Sequence, residues 1–534
     1  MWMVAVLVAL GCVDARVRVD PLVQAPVGLI RGVEAQDGEY SMFMGIPYGR
    51  VREENPFGAA EPYPKFEQVF TAYDDSTMCP QREEFNNSLA GSLDCLHLNV
   101  YVPNIASTRN PLAVMVWIHG GGFSYGDAGR YVFGPKFLVR HDIILVTLNY
   151  RLGPYGFMCL DTPEVPGNQG LKDQRLALRW IKNNIAAFGG DVNKITLVGE
   201  SAGSVSTEFQ LLANQEKLFN QVILQSGTVF GPWAVSTPDL TAPLKLAARL
   251  GFDTEDVDEA VAFLATADSN LVIGASTALW LGFGPCLEKK FDGVESILTE
   301  HPIDSDMVNV KNTNIMAGYT NKEQLMSFAT RPPSGFENLN VFSTIRGSFV
   351  IDDDFQAVED IVRRFYIGDE PVTEALRWNL MNFESDWFFN YPTQWTIDNY
   401  LEKGAGDIYY YVFSYSGQRN FVKSRFNVTV EGAAHADELG YQFDQAFVTG
   451  APTADDQRVI DQMTTLWANF VKHGDPTPTT TELLPVKWSL VTKTTYTYLD
   501  LDNPLTVKRR PYSDRLTFLQ LFFKANWHRL RAVN

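Results

Sequence analysis

Three short segments of this 534-residue chain combine residue types that can break an acyl bond. The first is Gly199-Glu200-Ser201-Ala202-Gly203. A serine hydroxyl is a weak nucleophile until a neighbouring base takes its proton. Lys194-Ile195-Thr196-Leu197-Val198 reads as a strand before it, and the stretch from Ser204 onward can run as a helix. Strand, tight turn and helix in that order form a nucleophile elbow. The flanking glycines leave room where a Cβ would clash, and the helix N-terminus aims amides at a developing anion. The second segment is His119-Gly120-Gly121-Gly122-Phe123, directly after the apolar run 112–118. Consecutive glycines let main-chain amides approach a ligand. With the amide of Ala202 they can hold the oxyanion of a tetrahedral intermediate, at about 3 kcal/mol per donor. No Lys-Ser/Thr pair follows, which excludes a Walker-type phosphate loop, and the spacing does not give the dinucleotide pattern G-x-G-x-x-G.

The third segment must supply the base. A nucleophilic serine needs a histidine, and the histidine needs a carboxylate to orient it. The seven histidines are His97, His119, His141, His301, His435, His473 and His528. His435 stands out in Gly432-Ala433-Ala434-His435-Ala436-Asp437-Glu438-Leu439, with small residues before it and acids after it. Chain order Ser, acid, His puts the carboxylate between positions 201 and 435. Glu323, just past a strand-like run at 314–317, is the candidate. Alone, a loop glutamate is usually solvated, so the chemistry rests on the combination.

These segments need a scaffold. Apolar runs at 112–118, 143–148, 195–198, 222–224, 314–317 and 408–413 read as strands. Helical periodicity lies between several of them. The clearest case is 171–187, with Leu178, Ile181 and Ile185 on one face and a stop at Phe188-Gly189-Gly190-Asp191. Continuous Val/Ile/Leu runs separated by helices indicate a mostly parallel sheet buried on both faces. Ligands bind beyond the carboxyl ends of such strands, where all three segments fall. No repeat, low-complexity tract or linker interrupts residues 16–534, which read as one domain.

Forty-four basic against 63 acidic residues give a net charge of −19. That excludes the basic footprint of a nucleic-acid binder and disfavours docking on anionic membranes. Residues 1–15 read as a signal peptide cut after Ala15, which implies a secreted chain. No other stretch is long and apolar enough to span a bilayer, and charges break the C-terminal run, so neither membrane insertion nor a lipid anchor is expected. Cys12 would leave with the signal. Cys79 and Cys95 flank a short polar loop and can close a local disulfide. Cys159 and Cys286 lie far apart in apolar contexts and read as buried free thiols. No Cys pair has CxxC spacing and no His clusters near one, so no metal site is expected. Asn86-Asn87-Ser88 and Asn427-Val428-Thr429 are glycosylation sequons.

With these residues in place, the chain resembles the carboxylesterase/cholinesterase family (type-B carboxylesterases) and has the look of secreted insect carboxylesterases. The matches are Phe43-Met44-Gly45-Ile46-Pro47-Tyr48, the segment Ser92-Leu93-Asp94-Cys95-Leu96-His97-Leu98-Asn99-Val100, HGGGF at 119–123, NYRLGPYGF at 149–157, GNQGLKDQ at 167–174, GESAGS at 199–204 and GAAHADEL at 432–439. The resemblance implies an α/β-hydrolase fold, with a large, mostly parallel central sheet flanked by helices. It implies Ser201 as nucleophile, His435 as base and Glu323 as acid, with Gly121, Gly122 and Ala202 as oxyanion donors. It implies a Cys79–Cys95 disulfide, while the family's second disulfide loop is not evident. Phe123, Trp233 and Phe283 become candidates for an apolar substrate pocket, with Glu200 beside the nucleophile. An ester would be cleaved through an acyl-enzyme without a cofactor or metal.

The chain departs from the pattern in instructive places. Gln324 stands where the family usually carries Gly. The Cys79–Cys95 loop is short and lacks the tryptophan that stacks on choline, which argues against choline esters. Glu200 stands where many juvenile hormone esterases have Gln. A small-molecule lipophilic ester is the expected substrate. A catalytically silent adhesion protein of the same fold and a lipase are the rival readings. Oligomeric state is not legible in the sequence.

Overall fold

The computed structural model describes residues 21–349 and 355–529. The N-terminal segment read as a signal peptide lies outside the described residues. An eleven-stranded sheet organises the chain. Its strands are β1 (Val33–Glu34), β2 (Tyr40–Pro47), β3 (His97–Pro103), β4 (Leu112–Ile118), β5 (Ile144–Leu148), β6 (Gly190–Glu200), β7 (Gln221–Gln225), β8 (Ile315–Thr320), β9 (Ile408–Phe413), β10 (Thr497–Leu501) and β11 (Thr506–Arg509). Their spatial order is β11-β10-β9-β8-β7-β6-β4-β5-β3-β2-β1. Every pairing from β5 across to β10 is parallel. Antiparallel pairs close both edges.

Strand periodicity explains why the central strands read as continuous apolar runs. In β4, Val114, Val116 and Ile118 face one core, while Met115 and Trp117 face the other. In β9, Ile408, Tyr410 and Val412 face the first core, and Tyr409, Tyr411 and Phe413 the second. Helices α1 (Gln169–Asn184) and α2 (Ala202–Leu212) cover the first face. Helix α3 (Ala454–His473) covers the second with Val459, Ile460, Met463, Leu466, Trp467 and Phe470. Each such side chain contributes about 1.5–3 kcal/mol by leaving water. The segment expected to be helical over 171–187 is α1 followed by a 3-10 turn, Ile185–Phe188, which Gly189 ends in the left-handed conformation at φ 81°.

Among the described residues, two disulfides are present. Cys79–Cys95 closes the expected local loop. Cys159 and Cys286 are also joined, with Cα atoms 6.7 Å apart, so the expectation of two free thiols is corrected. The cause is long-range. Gly167, at φ 98°, passes so close that a Cβ there would lie 2.5 Å from the Cys286 sulfur. The Asn168 amide brackets Cys286, donating to its carbonyl at 2.8 Å and accepting from its N–H at 2.9 Å. Lys172 pairs with the buried Glu288 at 2.5 Å. The segment 167–172 thus gathers residues 120 positions downstream, and a separation of 127 residues hid the pairing.

Candidate active site

Ser201 sits between β6 and α2 with φ 57° and ψ −125°. A serine in that conformation is strained, and its surroundings hold it there. A Cβ on Gly199 would lie 2.2 Å from the Gly203 carbonyl oxygen, and one on Gly203 would lie 2.1 Å from that of Ile118. The Ser201 amide donates to the Gln225 carbonyl at 2.8 Å, which ties the turn to the end of β7. The sharp turn leaves Ser201 half-buried in the wall of a cavity of about 620 Å³.

His435 lines the same cavity. Its loop is fixed from below: the His435 amide donates to the Glu323 carbonyl at 3.1 Å, and Asp437 accepts from the Ala434 amide at 2.6 Å. Imidazole Nδ1 lies 2.6 Å from Glu323 Oε2. The other Glu323 oxygen accepts from Ser226 Oγ and from the Thr320 amide, both at 2.7 Å. A carboxylate that accepts on every side fixes the tautomer, so Nδ1 carries a proton and donates it. Nε2 lies 3.2 Å from Glu200 Oε1, which belongs to another lining residue of the cavity. The ring is shielded on one side by Phe389, with centroids 4.7 Å apart.

The electrostatics centre on this imidazole. Burial opposes its charging, but Glu200 and Glu323 together outweigh burial and hold it above the ordinary imidazole value. Burial raises Glu200 to about 7, His435 pulls it down, and Glu323 pushes it up again. Burial also raises Glu438, aided by the charges of Glu200 and Glu323. Glu200 and Glu438 thus both resist ionisation beside this ring, and their protons belong to the pair rather than to single residues.

Above the serine lies the glycine loop. Gly121, Gly122 and Phe123 have successive positive φ values of 100°, 57° and 60°. A Cβ on Gly121 would lie 2.0 Å from the Tyr125 carbonyl oxygen, so no other residue fits there. Among the described residues, the amides of Gly121 and Gly122 donate to no acceptor. His119 supports this loop from behind. It stacks on Tyr150 at 4.5 Å, and the Tyr150 hydroxyl donates to its carbonyl at 2.9 Å. Burial lowers its imidazole to about 4, so it stays neutral.

The pocket candidates divide. Phe283 and Glu200 line the cavity. Phe123 is buried against Phe157 at 5.0 Å, and its carbonyl accepts from the Gly153 amide. Trp233 packs behind Phe389 at 5.8 Å and donates from Nε1 to the Phe388 carbonyl. Those two buttress the site from outside the cavity wall. Sequence reasoning missed Phe389, Trp280, Phe426 and Tyr125, because no motif surrounds them. Trp280, 92% exposed at the mouth, and Phe426 make the rim apolar. Arg425 clamps two rim loops by pairing with Glu84 at 3.0 Å and covering the Phe85 ring at 4.0 Å. The sequon residues Asn86 and Asn427 are exposed and sit one position from the lining residues Asn87 and Phe426. Among the described residues, no His/Cys/Asp/Glu group is placed to hold a metal, and no helix is long and apolar enough to cross a membrane.

Comparison with known proteins gives this geometry a context. The profile of the carboxylesterase family matches residues 19–519. The chain is 28% identical to a juvenile hormone esterase of Heliothis virescens, covering 93% of this chain and 92% of that protein. It is 31% identical to Esterase FE4 of Myzus persicae, covering 83% and 82%. The crystal structure of juvenile hormone esterase from Manduca sexta, with OTFP covalently attached, superposes with a TM-score of 0.82 at 26% identity, covering 95% of this chain and all of that one. The chain belongs to the carboxylesterase family and is a carboxylic ester hydrolase of the α/β-hydrolase fold.

Proposed function

We propose that the protein is a secreted serine carboxylesterase that cleaves lipophilic esters through an acyl-enzyme on Ser201. One observation carries this reading: Ser201 and His435 face one cavity, and His435 is anchored at Nδ1 by the buried Glu323 at 2.6 Å. His435 takes the hydroxyl proton on Nε2 as Ser201 Oγ attacks the ester carbonyl. The carbonyl oxygen gains charge and accepts from the amides of Gly121, Gly122 and Ala202. Collapse expels the alcohol, which takes the proton from His435. A water molecule then gives its proton to His435 and attacks the acyl carbonyl, and the acid leaves with Ser201 restored. Glu323 holds the ring and stabilises its cation throughout.

The apolar rim of Trp280 and Phe426, with Phe283 and Ile273 inside, favours esters with apolar acyl or alcohol parts. That OTFP is covalently attached in the Manduca sexta enzyme supports a mechanism with a covalent intermediate. The two disulfides fit an oxidising compartment, and the exposed sequons Asn86 and Asn427 are the expected glycan sites. The test is hydrolysis of p-nitrophenyl esters of increasing acyl length by the wild type beside Ser201→Ala. Turnover in the wild type only, rising from acetate to longer chains, supports the reading. Turnover retained in the variant overturns it.

A further inference from the structure

A second cavity, of about 980 Å³, shares no lining residue with the Ser201 cavity. Its wall includes Arg419, which is 8% exposed. Buried cations are normally paired, because an unpaired charge out of water is expensive. The other buried cations here obey this rule. Arg151 pairs with Asp173, Lys172 with Glu288, Arg175 donates to the Glu216 carbonyl, and Lys423 to Ser416 and the Gly432 carbonyl. Arg419 differs: the residue is mostly buried, its guanidinium opens to this cavity, and among the described residues it meets no carboxylate or carbonyl oxygen. It rests only against the Phe137 ring, 5.7 Å from the centroid. Arg140 sits on the same ring at 5.8 Å.

The acids of this cavity do not neutralise Arg419. Asp37 accepts from the Tyr40 hydroxyl and lies 4.0 Å from Lys136. Asp444 accepts from the Lys136 amide at 2.7 Å, and burial raises it to about 6. Glu34 completes them, against the cations Arg130, Lys136, Arg140 and Arg419. Val33, Met42, Phe137, Val448 and Pro452 supply an apolar remainder. The Arg419 segment is held in place: its amide donates to the Tyr441 hydroxyl, and Asn420 donates to Asp437 at 3.1 Å.

We infer that this cavity binds an amphiphilic carboxylate, with Arg419 gripping the head group and the apolar wall taking the tail. A guanidinium presents two parallel N–H donors that match a carboxylate. The volume far exceeds what a bare inorganic anion fills. A chain of net charge −19 repels anions at large, so retention there requires a local cation. The inference does not rest on the reaction at Ser201.

The probe is decanoate, titrated calorimetrically into the full chain, with decanol and inorganic phosphate as controls. The wild type is expected to show a saturable decanoate site that weakens about tenfold or more in Arg419→Gln, the loss expected for a charged hydrogen bond. Any decanoate site in the Ser201 cavity stays, and p-nitrophenyl ester turnover is unchanged. Identical isotherms for the two proteins overturn the inference. So does equal binding of decanol, or displacement of decanoate by equimolar phosphate. If Arg419→Gln fails to fold, a photoreactive decanoate analogue decides on the wild type. Label on peptides carrying Phe137 or Val448 supports the site, and label confined to peptides of the Ser201 cavity overturns it.

Discussion

Glu200 and Glu323 address opposite nitrogens of one imidazole, at 3.2 and 2.6 Å. Their joint charge holds His435 above its ordinary value, and a general base works only when neutral. Activity therefore falls as pH drops through that raised value. Glu200→Gln removes one of the two charges, so the midpoint of the acidic limb of kcat/KM moves to lower pH. A pH–rate profile of the two proteins checks this, and an unmoved limb contradicts it. The residues of the elbow, glycine loop and histidine loop were legible because turn geometry dictates their types. Phe389 and Trp280 were not legible, because an aromatic against a histidine or at a cavity mouth leaves no local pattern. Trp280 supports no core, so Trp280→Ala is expected to raise KM for esters with bulky apolar alcohols, with kcat and thermal stability unchanged. Steady-state kinetics on a short and a bulky ester separate the two constants.

The elements place these residues by close approach. Helix α2 begins so near β4 that Gly203 has the Ile118 carbonyl 2.1 Å from where a Cβ would stand. Gly203→Ala must shift the helix or the strand, at a cost of about 2 kcal/mol or more. Chemical denaturation reads the loss, and activity falls with it because the Ser201 turn moves. Central strands were legible from their apolar runs, which are buried on both faces. The run at 408–413 matches β9 to the residue, and 314–317 overlaps the start of a strand that runs from Ile315 to Thr320. The edge strand β11 escaped notice because little of it is buried: Thr506–Arg509 is mostly exposed. The pair Gly167 and Asn168 looked like part of a loop motif. Its task is to receive Cys286, which no local reading of the segment reveals.

At the scale of the molecule, the Cys159–Cys286 bond closes a loop of more than a hundred residues and anchors the segment that carries Trp280 and Phe283 to the catalytic cavity. Chain entropy assigns such a closure about 4–5 kcal/mol. Cys159→Ser with Cys286→Ser is expected to lower unfolding stability by about 2–5 kcal/mol and to raise KM by loosening the cavity wall. Equilibrium denaturation and ester kinetics test both parts. The long-range contact was hidden because pairing across the fold depends on topology, whereas the triad was visible because each member has its own local turn.

Everything in the proposed reaction depends on Ser201 forming the acyl-enzyme. The most direct measurement is mass spectrometry of the protein after reaction with a fluorophosphonate, followed by peptide mapping. One adduct per chain is expected, on the peptide containing Ser201, and none in Ser201→Ala. An adduct on another serine, or an unmodified chain that still hydrolyses esters, would contradict it.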